Sequence, residues 1–494
     1  MPDPPTVDSL YRLLPSLEKV LQSQELQSIL NGHSRTAAVT SARAALARIR
    51  AEISAGNADE ARVRKKVREL TNTIASDIER DRKLSLRRVI NATGVILHTN
   101  LGRAPLSRLA LQHICEVASD YSNLELDLES GSRSRRDVHA ESLILRLLAA
   151  KSGVPLDTTD QSYRALVVNN CAAATFLVLN SLADKCEVIV SRGELVEIGG
   201  GFRIPEILRK SGAILREVGT TNRTRLSDYE SALSDRTALI LRVHQSNFRI
   251  QGFAERPRLK DLISLARKNK VLFFEDQGTG LVTPLGNSAA DEDSSFIRNF
   301  KGGPDVVAAS GDKLLGGPQC GIILGQRDLA QMIIGNPLMR TFRVCKLTYA
   351  ALEATIMDHL SGDLESNPVA RMLALSSNTI RARCDALVAA LKFEMLRADV
   401  VMSNSVIGGG TTPGKKLKSF AVALRHTSIH PDQLAALLRR SDPPVVSRVN
   451  RDRVLLDLRT VPPESDEVLG ALLSLIDRQV GLKRTVEQSH AGTT

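Results

Sequence analysis

Val306-Val307-Ala308-Ala309-Ser310-Gly311-Asp312-Lys313-Leu314-Leu315-Gly316-Gly317-Pro318-Gln319 joins a short apolar run to a lysine in a glycine-rich bend. An apolar run without alternation is the pattern of a strand buried on both faces, and such strands belong to parallel sheets covered by helices on each side. Six more runs of this kind occur: Ala165-Leu166-Val167-Val168, Val188-Ile189-Val190, Ala213-Ile214-Leu215, Ala238-Leu239-Ile240-Leu241, Val271-Leu272-Phe273-Phe274 and Gly321-Ile322-Ile323-Leu324. The earlier ones stand about 25 residues apart, which leaves room for one right-handed crossover helix per step. The last two are close enough to be joined by a turn, so one strand is expected to run antiparallel. The expected fold class is therefore α/β, with a mostly parallel seven-stranded sheet over residues 89–340.

Outward from this core the pattern changes. Residues 341–484 read as a small C-terminal α+β domain, with strand candidates at Phe420-Ala421-Val422-Ala423-Leu424, Val445-Val446-Ser447-Arg448-Val449 and Val454-Leu455-Leu456-Asp457-Leu458. Residues 485–494 read as a flexible tail. Residues 1–88 read as a helical module and linker: Leu10, Leu13, Leu14, Leu17, Val20 and Leu21 follow Ser9, a candidate N-cap, and Val63, Val67, Leu70, Ile74 and Ile78 repeat at helical spacing.

The 494 residues are 43% hydrophobic and 24% charged, with a net charge of +11. A surplus of that sign suits polyanionic ligands such as nucleic acid or phosphate esters. Residues 1–88 carry 16 Lys and Arg against 11 Asp and Glu, a concentration that fits either a solvated helix face or an RNA contact. No apolar run reaches the ~18 residues of a membrane helix, and the N-terminus lacks a signal-peptide layout, so a soluble cytoplasmic protein is expected. The six cysteines are scattered without a C-x-x-C pair, which points to reduced thiols and to no metal site.

In an open parallel sheet, ligands gather beyond the carboxyl ends of the strands. Lys313 follows one such end, and Ser310 stands three residues before it. Most lysines in loops are simply solvated, but one drawn into a cleft loses part of its affinity for a proton and can attack an aldehyde. The preceding strand ends Phe274-Glu275-Asp276-Gln277-Gly278, which puts a carboxylate where it can pair with a protonated pyridine nitrogen. Asp276 or Glu275 could instead cap a helix. Together the amine and the carboxylate suit the two ends of pyridoxal phosphate. Cys171-Ala172-Ala173-Ala174-Thr175 opens a helix whose small residues leave backbone N–H groups for a phosphate, although the same residues also read as an ordinary helix start. His244 ends another strand, where an imidazole could stack on the ring or serve structure alone.

Several longer segments resemble one family. They are Arg88 to Gly94 (RVINATG), Thr99 to Ala104 (TNLGRA), Ser191 to Gly200 (SRGELVEIGG), Glu217 to Thr224 (EVGTTNRT), Ser246 to Phe253 (SNFRIQGF) and Ser310 to Gln319. The chain resembles the bacterial L-seryl-tRNA(Sec) selenium transferases over nearly its whole length. This resemblance implies a fold-type-I, aminotransferase-like pyridoxal-phosphate enzyme with Lys313 as the Schiff-base lysine and Asp276 as the ring-nitrogen partner. Cys171, Ala172, Ala173, His244 and Ser310 complete the expected cofactor site. It further implies that Arg103, Arg340 and Arg343 hold selenophosphate, and guanidinium forks do suit such an anion. The implied reaction converts L-seryl-tRNA(Sec) to L-selenocysteinyl-tRNA(Sec) through an aminoacrylyl intermediate. The implied assembly is a homodecamer, a pentamer of dimers, with tRNA(Sec) gripped by the N-terminal module.

Two departures stand out. The family carries asparagine where this chain has Cys171, and Asp-Leu-Gly-Ser-Gly where it has Asp276-Gln277-Gly278-Thr279-Gly280. Neither removes the carboxylate. Two alternatives remain at this stage: a related pyridoxal-phosphate lyase acting on a small amino acid or amino-sugar acid, and a noncatalytic RNA-binding protein that keeps the fold. The sequence also leaves open whether Arg459 touches substrate or braces the small domain.

Overall fold

Helical spacing in the first 88 residues is realised as α1 (Val7–Tyr11), α2 (Leu17–Leu21), α3 (Arg35–Ser54), α4 (Glu60–Arg68) and α5 (Leu70–Arg82). The single helix expected from an N-cap at Ser9 is instead two short ones, and Ser9 lies inside the first of them rather than capping it. Pro15 cannot donate a backbone hydrogen bond, and Ser16 starts α2 by accepting from the Lys19 N–H at 3.2 Å. Ala38, Ala42, Leu46, Ile49 and Ile53 of α3 pack with Val63, Leu70, Ile74 and Ile78 into one buried cluster. The basic residues Arg62, Arg64, Lys65 and Arg68 of α4 stay exposed. Part of that charge is internally paired: Arg64 bridges to Glu60 at 2.8 Å, and Lys66 and Arg62 both meet Glu52.

The computed structural model describes residues 7–23, 26, 35–82, 84–153, 162–198, 201–282, 295–363, 365–391 and 394–491. The backbone divides into two units, residues 1–88 and 89–494.

In the second unit, strand β1 (Val95–Leu97) stands apart from the large sheet. That sheet comprises β2 (Tyr163–Val168), β3 (Glu187–Ser191), β4 (Ile214–Val218), β5 (Thr237–Val243), β6 (Leu272–Asp276), β7 (Val306–Ser310) and β8 (Gly321–Gln326), in the spatial order β2-β8-β7-β6-β5-β3-β4. All seven apolar runs thus become its strands. Only β8 runs antiparallel to its neighbours, β7 and β2, because a tight bend rather than a crossover helix precedes it. One expectation fails at β4: as an edge strand it is largely exposed, with Ile214 at 42%.

Helices α6 (Val138–Ser152), α7 (Cys171–Leu182) and α8 (Lys346–Ser361) cover the sheet. Leu166, Val168, Val190, Leu241 and Ala308 point to one face, with Ala174, Leu177 and Val178 of α7. Ala165, Val167, Val307, Ala309 and Ile322 point to the other, against Ile144 and Leu148 of α6 and Leu352 and Ile356 of α8. Apart from the edge strand β4, alternate residues of the strands therefore bury on opposite sides, which is why the runs lack polar positions.

The small sheet holds β1, β9 (Leu396–Gly408), β10 (Lys416–His426), β11 (Arg448–Asn450) and β12 (Arg453–Asp457), ordered β11-β12-β10-β9-β1. Its longest strand, β9, was not foreseen, because its residues are mostly half-exposed or exposed and its one short apolar run, Val400-Val401-Met402, is flanked by polar residues. The boundary at 341 is also crossed in both directions. Val95 and Leu97 pair with Val406 and Gly408 of β9, and Ile90–Asn91 pairs with Val445–Val446. Conversely α8, expected in the small domain, packs on the large sheet. Pairings between residues some hundreds of positions apart leave no local sequence signal. The last helix, α9 (Asp466–Ala491), continues through most of the stretch expected to be a tail, and residues 492–494 lie outside the described residues.

Candidate active site

At the carboxyl ends of β2, β5, β6 and β7 lies a cavity of about 440 Å³ lined by Arg103, Cys171, His244, Asp276, Ser310 and Lys313, among others. Lys313 stands in the bend after β7, which turns back through Gly316 at φ 71°. Its side chain is 7% exposed, and its Nζ donates to the Gly410 carbonyl at 2.7 Å. Burial lowers its proton affinity below that of an ordinary lysine, an effect that the nearby Cys171 and Asp276 oppose.

Asp276 ends β6. Thr175 Oγ1 donates to its Oδ2 at 2.9 Å, and Cys171 Sγ lies 3.6 Å from its Oδ1 as a weak donor. Burial pushes the Asp276 pKa up, while Thr175, Lys313 and Cys171 pull it down. Asp276 Oδ1 and Lys313 Nζ each lie 3.8 Å from the point where a Cβ on Gly278 would begin, so a carboxylate and an amine converge on one opening. Gly278 has φ 67°, a conformation suited to glycine.

His244 bonds twice. Its backbone N–H donates to the Asp276 carbonyl at 3.0 Å, and its ring Nε2 meets the Thr411 carbonyl at 2.6 Å. Burial lowers the imidazole pKa to about 4, so the ring is neutral at pH 7.

Of the helix-start residues, Cys171 and Ala172 line the cavity. Ala173 does not, and its N–H is taken by the Asn170 side chain at 2.8 Å, an N-cap rather than a free phosphate donor. Ser310 lines the cavity but donates to Asp312 Oδ1 at 2.7 Å. Arg103 pairs with Asp312 Oδ2 at 2.6 Å from a left-handed backbone position, φ 62°. The three arginines do not converge within this chain. Arg343 lies 3.5 Å from Glu125, Arg340 is exposed, and neither lines the cavity. Arg459 is buried and braces the small domain, donating to the carbonyls of Met372, Leu375 and Lys418 at 2.7–2.8 Å.

Residues 89–462 match the family described as L-seryl-tRNA selenium transferase, and residues 11–50 match the family described as selenocysteine synthase N terminal. The chain belongs to the L-seryl-tRNA selenium transferase family. Among selenium transferases it is similar to the L-seryl-tRNA(Sec) selenium transferase of Aquifex aeolicus (strain VF5), at 41% identity over 459 residues, 92% of this chain and 96% of that one. The L-seryl-tRNA(Sec) selenium transferase of Hyphomonas neptunium (strain ATCC 15444) is 39% identical over 481 residues, 96% of this chain and 100% of its own. A solved D-glucosaminate-6-phosphate ammonia-lyase superposes with a TM-score of 0.54 at 18% identity, covering 80% of this chain and 96% of its own. That likeness concerns the fold alone, and the selenium transferase chain has the expected fold-type-I, aminotransferase-like architecture.

Five residues of this site were not foreseen. Thr175 is four residues beyond Cys171 and so on the same helix face, which was a usable signal. Gly410 and Thr411 follow β9 in Gly408-Gly409-Gly410-Thr411, a glycine run that marks close backbone approach. Asp312 adjoins Lys313. Ser246 Oγ is a buried hydroxyl in the cavity lining that has no hydrogen-bond partner among the described residues.

Among the described residues, no group of three or more His, Cys, Asp or Glu is placed to hold a metal ion, and no helix is long and apolar enough to cross a membrane.

Proposed function

We propose that this chain is a pyridoxal-phosphate-dependent transferase that converts L-seryl-tRNA(Sec) to L-selenocysteinyl-tRNA(Sec) with selenophosphate as donor. The observation that carries this reading is a buried amine, Lys313, and a buried carboxylate, Asp276, facing one cavity in a member of the selenium transferase family.

The residues present fit the cofactor. Lys313 would hold its aldehyde carbon and Asp276 its ring nitrogen, and the unpartnered Ser246 hydroxyl, with the Cys171-Ala172 turn at the positive end of α7, suits its phosphate. Bound there, pyridoxal phosphate supplies an electron sink for charge that develops at the substrate's Cα. Lys313, whose hold on a proton is weakened by burial, takes the proton from the seryl Cα. His244, neutral and bonded to Thr411, offers a flat uncharged face to the ring. The loop carrying Gly410 and Thr411 excludes water from the amine.

Arg103, Arg340 and Arg343 bind selenophosphate in this reading. Because Arg340 and Arg343 stand outside their own chain's cavity, a homo-oligomer that brings them to a neighbour's cavity accommodates the role, and we take the assembly to be a decamer, a pentamer of dimers. The exposed basic residues of α4 support tRNA(Sec) binding by residues 1–88. The cytoplasm, where charged tRNA resides, is the proposed location.

Arg459 separates this reading from a lyase acting on a free amino acid. A free substrate carboxylate calls for a cationic clamp, yet the buried Arg459 spends its donors on backbone carbonyls and Ser405. An aminoacyl ester has no such carboxylate. Intact Lys313 and Asp276 likewise disfavour a noncatalytic RNA-binding protein.

The test is conversion of seryl-tRNA(Sec) with selenophosphate by the purified protein, run beside seryl-tRNA(Ser) and free serine. Selenocysteinyl-tRNA(Sec) as the main product supports the proposal; preference for free serine replaces it with the lyase.

A further inference from the structure

Thr175 lies one turn into α7, 1% exposed, in a helix face that also carries Cys171. Its Oγ1 is 2.9 Å from Asp276 Oδ2 and 3.1 Å from the Cys171 carbonyl oxygen. A hydroxyl has one proton, so it donates to only one of these acceptors at a time. The charged acceptor wins when Asp276 is ionised, because bonds to a carboxylate are the stronger ones.

The surroundings of Asp276 leave few alternatives. From α7 come Thr175 and the Cys171 thiol, whose 3.6 Å contact to Oδ1 is weak. From the bend after β7 comes Lys313, whose hydrogen bond goes to Gly410. From the end of β5 comes His244, which donates its backbone N–H to the Asp276 main-chain carbonyl and its ring to Thr411. Thr175 is therefore the strong neutral donor to this carboxylate among the described residues.

We propose that Thr175 is a positioning residue of this site: its hydroxyl fixes the rotation of the Asp276 carboxyl and holds it ionised toward the ring nitrogen of the cofactor. The inference rests on reading the cavity as a pyridoxal-phosphate site. Thr175 also suits the other proton state. A protonated Asp276 can donate to Thr175 Oγ1, whose own hydrogen then turns to the Cys171 carbonyl. One side chain thus keeps its own hydroxyl and Asp276 Oδ2 paired whichever group holds the proton, with the stronger bond in the ionised state. Valine has nearly the same shape but cannot donate, so it leaves Oδ2 buried beside a methyl group and favours the neutral acid.

The test compares Thr175→Val and Thr175→Ser in the full-length protein, titrated with pyridoxal phosphate. Thr175→Val is expected to bind the cofactor roughly tenfold more weakly or worse. The acid limb of its visible absorbance should move up by about one pH unit, the scale of one lost charge-assisted bond. Thr175→Ser should return both quantities close to those of the parent. If Thr175→Val does not fold, Thr175→Ala carries the same comparison.

Two results overturn the proposal: a valine variant whose cofactor affinity and pH titration match the parent's, or losses that track only the unfolding temperature of the cofactor-free protein and are not restored by serine. Failure of the underlying reading looks different. In that case the parent itself traps no pyridoxal phosphate on Lys313 when borohydride is added.

Discussion

Lys313 is tied across the cavity to Gly410, its Nζ donating to that residue's carbonyl oxygen at 2.7 Å. The lysine comes from the large sheet and the glycine from the loop that follows β9 of the small sheet, so the reactive amine is held between both.

Gly410 leaves little room for change. A Cβ there would sit 3.0 Å from Lys313 Nζ on a backbone with φ 81°. Gly410→Ala is expected to weaken pyridoxal-phosphate uptake by roughly tenfold or more, the scale of crowding in a packed site. Absorbance titration of the purified variant measures it, and unchanged affinity counts against the loop's part in the site.

Lys313→Ala is expected to abolish the borohydride-sensitive visible band and to slow turnover by roughly 10²–10⁴-fold, the range ascribed to a positioned acid–base group. Circular dichroism should stay that of the parent. Normal turnover by the variant would remove Lys313 from the mechanism.

Arg340→Ala is expected to raise the KM for selenophosphate by roughly 10–100-fold, the worth of a charged hydrogen bond, with little change in affinity for seryl-tRNA(Sec). Steady-state kinetics and a filter-binding assay separate the two. Equal losses in both would argue for a role in folding or assembly.

His244 gives a pH signature. Its pKa falls from an ordinary 6.5 to about 4 because burial disfavours the imidazolium. Between those values the unfolded chain binds the extra proton and the folded chain does not, so acidification from pH 6.5 to about 4 destabilises the cofactor-free protein. The slope approaches one proton, about 1.4 kcal/mol per pH unit. Denaturant melts of the parent and of His244→Asn at several pH values measure it, and an equal slope in both would contradict the assignment.

What could be read in advance follows a physical rule. Six strands of the large sheet were legible because burial on two faces writes itself as a continuous apolar run, as in Val306-Val307-Ala308-Ala309, while the edge strand β4 carries such a run without that burial. Lys313 and Asp276 were legible because each follows such a run at the end where ligands collect. β9 was not, since a half-covered strand dilutes its apolar residues with Ser403, Asn404 and Ser405. Nor were the partners Gly410 and Thr411, which reach the cavity by a pairing distant in sequence. Ala173 misled for a local reason: Asn170, immediately ahead of the helix, used the N–H that a phosphate would have needed.

The pairing of Val95 with Val406 has a consequence for how the molecule is made. A ribosome extrudes the first of these residues roughly 300 positions before the second, so one margin of the lesser sheet waits through most of translation without its neighbour. Any attempt to cut the catalytic half away as a self-standing fragment starting near residue 89 and stopping near 340 would strand that margin permanently, as an open template for other chains.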